Sequence, residues 1–131
     1  MSVCFEPAKI IPMSAPYTEA SEGSMTVHNN TKHDIKIKVK VTESLLFAAK
    51  PNIALINAGC VQIIIFRYRP PLIDFPIKPK SQIQFIELNG IADSNDVFDD
   101  HTDKIQQKNF RMAFPESEQK YTNVDKVINN T

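Results

Sequence analysis

An all-β, immunoglobulin-like sandwich of about seven strands is the fold class this 131-residue sequence predicts, and three observations carry the prediction. Ile35, Ile37, Val39 and Val41 alternate strictly with Asp34, Lys36, Lys38 and Lys40, the period-two pattern of a half-buried strand. The run VQIIIFRYR over residues 61–69 is dense in β-branched and aromatic side chains, which suit a pleated surface. No helical period lasts long enough for a helix of ordinary length, while turn signals recur at the spacing of short strands.

Taken in order, Val3 and Phe5 suit a short edge strand, and Pro7, Pro12 and Pro16 mark an extended segment anchored by Ile10 and Ile11. Edge strands tolerate proline because one side of the ladder has no partner. Gly23 turns into a strand carrying Met25 and Val27, and Asn29-Asn30-Thr31 supplies turn chemistry before the strand at 34–41. Leu45-Leu46-Phe47 is expected to pack across the end of the sandwich, and Lys50-Pro51-Asn52 breaks the chain there. Asn57-Ala58-Gly59 is a turn leading into 61–69. Four prolines in PPLIDFPIKPK make 70–80 a long extended loop with some edge pairing. Alternation returns in SQIQFIEL over 81–88 and again in QKNFRMAF over 107–114. Between them lies an Asp/Asn-rich solvated loop with room for a helical turn at Val97-Phe98. Residues 1–115 read as one domain and 116–131 as a polar tail expected to fray.

Lys plus Arg and Asp plus Glu balance at 15 each. No global field then recruits nucleic acid or a membrane surface, and an electrostatic partner must be met by a local patch. Cys4 and Cys60 alone make neither a disulfide framework nor a zinc site, which suits reduced thiols in a cytoplasmic protein. Met1 is not followed by a basic start and an apolar run. The apolar run at residues 63–66 is far short of the roughly 20 residues of a membrane helix. Asn29-Asn30-Thr31 and Asn129-Asn130-Thr131 match the glycosylation sequon, but without a secretory signal they read as polar loop and tail.

Catalytic constellations are thin. His28, His33 and His101 sit among polar residues, and no motif gives them a nucleophile. Three glycines cannot easily build a phosphate-cradling loop. The Asp96, Asp99, Asp100, Asp103 cluster lacks the glycine and glutamate of an EF-hand. The expectation is a non-enzymatic protein with no cofactor or metal. Two surfaces invite a partner. Lysines at alternate positions stand about 7 Å apart on one strand face, either as a solubilising outer face or as a docking strip for an acidic peptide. In 61–69, either loops bury both faces or the face of Ile63 and Ile65 is a partner interface.

With these residues laid out, the chain resembles the major sperm protein (MSP) domain family over roughly residues 5–115. Ser14-Ala15-Pro16-Tyr17 is similar to an early APY/GPF segment, VHNNT over 27–31 to an L-x-N-x-T/S turn, and IKVKVT over 37–42 to a FKVKTT strand. Lys50-Pro51-Asn52 matches RPN, LINAG over 55–59 matches I-I-x-P/A-G, and KIQQKNFRMAF over 104–114 is like the closing segment. The resemblance implies a PapD-like sandwich and one of two roles. Free-standing nematode sperm members dimerise and assemble into cytoskeletal filaments for cell motility. Members of the vesicle-associated-membrane-protein-associated branch hold acidic double-phenylalanine (FFAT) peptides in a basic groove. The length, the APY-like start and the KN-containing end favour the first role, with the second as the alternative. Of that groove, Lys38, Lys40, Thr42, Lys50 and Asn52 occupy matching positions, whereas Gln82 and Gln84 replace a lysine and a methionine. Those replacements weaken an acidic-peptide site by roughly 1–3 kcal/mol. The implied partners are a second copy of the chain or an acidic peptide, with no direct membrane insertion.

Overall fold

The computed structural model describes residues 2–72 and 78–115. The alternating segments become strands in two facing sheets. The first sheet has the order β1 (Val3–Glu6), β3 (Ser21–Asn29), β7 (Val61–Tyr68), β5 (Phe47–Lys50). The second has the order β2 (Ile10–Pro12), β9 (Gln106–Ala113), β8 (Lys80–Glu87), β4 (Ile35–Val41), β6 (Ile53–Ile56). Neighbours are antiparallel except β2, which runs parallel to β9. Between β8 and β9 come a single helical turn, α1 (Val97–Asp100), and a 3-10 turn at Thr102–Lys104.

This is the all-β immunoglobulin-like sandwich expected. Nine strands are described, but β1/β2 and β5/β6 are each one path that changes sheet, which leaves seven strand positions. Pro7 and Pro51 stand at the two changeovers, where a residue without an N–H removes nothing from a ladder. The edge strands are short for this reason, and each covers only part of its neighbour. β2 reaches only Arg111–Ala113 of β9, and β5 only Ile65–Tyr68 of β7.

The inward members of each alternation fill the space between the sheets. Ile11, Val27, Ile35, Ile37, Ile64 and Phe66 lose all contact with solvent, and each such burial is worth about 1.5–3 kcal/mol. Gly23 lets the segment before it approach β3. A Cβ there would stand 2.8 Å from both the Met13 sulfur and the Pro12 carbonyl. Asn29, fully buried, ties three elements together: its Nδ2 donates to the carbonyls of His33 at 2.8 Å and Ile56 at 2.9 Å, and its Oδ1 accepts from Thr31 Oγ1 at 2.6 Å.

Leu45 departs from expectation. The turn before β5 closes through the Leu46 and Phe47 N–H groups onto the Glu43 carbonyl, Phe47 takes the core position, and Leu45 stands 96% exposed. The middle of the 70–80 loop and the tail at 116–131, with its second sequon, lie outside the described residues.

Candidate functional site

The three outward lysines of β4 meet three different environments. The loop after β8 folds back over the second sheet, where Val97 and Phe98 of α1 cover Ile86 and form a small second core with Leu88, Ile91 and Ile105. Lys36 lies beneath this loop. Its ammonium is 2.6 Å from Asp93 Oδ1 and 3.1 Å from the Ser94 carbonyl, and its side chain is only 12% exposed. Lys38 Nζ stands 6.0 Å from the centre of the Phe98 ring, the outer limit of cation–π attraction. Lys40, beyond the loop, is exposed. The lysine face is thus open to solvent only toward the end of β4.

At that end a shallow groove of about 930 Å³ crosses β4, β8, β9 and the start of β2. Lys9, Lys40, Lys80, Lys108 and Arg111 line it, and among the described residues no aspartate or glutamate does. Thr42 latches the strand end: its N–H donates to the Lys80 carbonyl at 2.9 Å, and its hydroxyl accepts from the Lys80 N–H at 2.9 Å. Gln82 Nε2 donates to Asn109 Oδ1 at 3.0 Å across the floor. Lys80 and Arg111 sit directly opposite each other in the β8–β9 register. Like charges in that relation repel, so the groove carries a positive potential that the described residues leave unneutralised.

A second depression of about 680 Å³ lies on the other side, between residues 14–22 and the Leu45 turn. Its charges differ, because a carboxylate lines it as well: Arg67 Nε is 3.0 Å from Glu22 Oε1, and Arg69 stands beside them.

The structure divides the residues singled out in the sequence. Lys38, Lys40 and Thr42 share the outer face of the second sheet. Asn52 borders that sheet through its backbone, accepting from the Val39 N–H at 2.7 Å. Lys50 belongs to β5 in the first sheet, directly opposite Ile65. With Ile63 it faces outward there, away from the groove. Val61 and Ile63 are 55% and 53% exposed and Ile65 is half-buried, so no described loop covers this face of β7.

Lys9, Lys80, Lys108 and Arg111 are the groove residues that strand-by-strand reading missed. They come from three segments far apart in sequence, read for proline or for alternation, and only the register gathers those segments. Among the described residues no three His, Cys, Asp or Glu side chains cluster to hold a metal ion, and no helix is long and apolar enough to cross a membrane.

The profile of the MSP (major sperm protein) domain matches residues 2–107. The chain belongs to the major sperm protein domain family. Two solved Caenorhabditis elegans structures are similar to this MSP domain. WR4, an MSP family member, is 13% identical with a TM-score of 0.69, over 87% of this chain and 99% of that one. SSP-19, an MSP-domain-like protein, is 11% identical with a TM-score of 0.66, over 83% and 95%. A PapD-like domain of human CEP192 is 13% identical with a TM-score of 0.60, over 86% and 83%. At these identities the likeness is one of fold. No curated protein matches the chain.

Proposed function

We propose that this MSP domain is a non-enzymatic protein-association module that holds an acidic segment of a partner protein in the groove of the second sheet. The observation that carries the reading is the charge of the lining, five cations and no carboxylate among the described residues. An acidic peptide supplies the missing charge, speeds encounter and fixes orientation. The resemblance suggested an FFAT-type groove with a lysine lost at Gln82. In this fold Lys80 and Arg111 bring cations to the same face from other strands. Titration calorimetry with an acidic double-phenylalanine peptide tests the reading. Saturable binding that weakens roughly tenfold in Lys40→Glu or Arg111→Glu supports it, and no binding by the parent protein overturns it.

A second reading, self-association of the sperm cytoskeletal type, is favoured by a different surface. Val61, Ile63 and Ile65 form an outward apolar stripe with Lys50 beside it, and exposed apolar stripes mark association surfaces. Sedimentation over a concentration series tests it. Dimers or filaments that Ile63→Asp disperses and Lys38→Glu does not are expected, and a strictly monomeric parent protein removes the reading.

A further inference from the structure

The half of β9 that β2 leaves uncovered has a specific directionality. Arg111 donates its N–H to the Lys9 carbonyl at 3.0 Å on the β2 side, and Met112 donates to the Pro79 carbonyl at 3.2 Å on the β8 side. Strand alternation carries this pattern backward. The N–H and C=O groups of Gln107 and Asn109 therefore point to the same side as those of Arg111, where β2 has not yet begun and no described strand pairs with them. Phe110, Lys108 and Gln106 are taken up by β8.

Natural sheets protect such edges with proline, bulges, charge or a capping side chain. The corresponding uncovered half of β7 is protected in this way. Ile63 turns its carbonyl to the open side, and Gln62 Nε2 caps it at 2.8 Å. The open half of β9 has no proline, and among the described residues no side chain caps it in this way. Its protection is charge alone, from Lys108 and Arg111 on the strand and Lys9 and Lys80 beside it. Cations keep out a second copy of β9, because QQKNFRMA has no carboxylate to offset them and would bring like charges to one seam. The same cations admit an acidic strand.

We propose that the Gln106–Phe110 half of β9 is a strand-addition site. There an extended acidic segment of a partner protein pairs its backbone with Gln107 and Asn109 and turns its carboxylates toward Lys80 and Arg111 on the outer face, with Lys9 beside them. This rests on the acidic-partner reading of the groove and specifies how the segment is held: by main-chain ladder bonds at the edge, with side chains at alternate positions facing the cations. β2 already shows the geometry, as a strand laid along the same side of β9 one residue farther on.

The test uses a fluorescent ten-residue peptide of alternating glutamate and threonine, made unmodified and in two N-methylated forms that block either the odd or the even backbone N–H groups. An added strand directs only one set toward β9. One form is expected to bind at least about tenfold more weakly than the parent, the loss for about two backbone hydrogen bonds, and the other within about twofold. On binding, amide exchange at Gln107 and Asn109 is expected to slow while that at Phe110 stays as it was. Equal effects of the two methylated forms, with no new protection at Gln107 and Asn109, overturn strand addition while leaving the groove reading intact. No saturable binding of the unmodified peptide overturns both.

Discussion

The two outer faces of this sandwich come from the same alternation and end in opposite chemistry. On the first sheet, the outward residues of β7 are Val61, Ile63 and Ile65, while Arg67 beyond them is paired with Glu22. On the second sheet the cations outnumber their partners. Lys36 finds Asp93, but Lys40, Lys80 and Arg111 find no carboxylate among the described residues. A net charge of zero hides this contrast, because the balancing acids lie elsewhere, many of them in the loop that carries Asp93 and α1. Whole-chain charge is thus a poor guide to partners, and the arrangement of charge over one sheet face is a better one.

Four measurements set the two faces apart or show them to be alike. Ionic strength gives the largest separation. Raising salt from about 0.05 to 0.5 M is expected to weaken acidic-peptide binding at the second sheet by more than tenfold, while association through the first sheet holds or tightens. If both respond alike, the faces do not differ as described. The Lys80→Glu/Arg111→Glu pair comes next, with peptide affinity expected to fall at least tenfold and the sedimentation profile unchanged. Lys36→Ala removes the half-buried ion pair with Asp93. It is expected to cost about 1 kcal/mol in denaturant unfolding and to make the 88–105 loop easier to cleave by limited proteolysis. The smallest effect is also the most pointed. Arg111→Gln relieves the repulsion opposite Lys80 and is expected to stabilise the fold by about 0.2–1 kcal/mol while weakening peptide binding. A loss of stability instead would mean that the two cations are not in conflict.

How much of this was legible in the sequence follows from what each feature depends on. The strands at 35–41 and 61–68 depend on local period and β-branched content, which the sequence displays directly. Their exposed and buried faces follow from the same alternation. The groove depends on register. Lys80 and Arg111 are neighbours only because β8 and β9 pair antiparallel in one alignment, and no local pattern encodes that alignment. The loop over Lys36 was hidden by composition, since Val97 and Phe98 are two apolar residues in a polar stretch and their partner Ile86 lies on the outward side of β8. The separation of Lys50 from Lys38 and Lys40 has the same origin. A strand that changes sheet at Pro51 carries its residues to the other side of the molecule.

The tie made by Asn29 has a chemical consequence for the Asn29-Asn30-Thr31 triplet. Oligosaccharide transfer needs the asparagine Nδ2 accessible and free to react, with the threonine hydroxyl two positions on available beside it. Here both hydrogens of Nδ2 are committed to carbonyls, the side chain is out of contact with solvent, and the Thr31 hydroxyl is turned onto Asn29 Oδ1 and the His33 carbonyl. The folded domain is therefore refractory to a sugar at this triplet. A glycan found on Asn29 would date its own attachment to a moment before the sandwich closed.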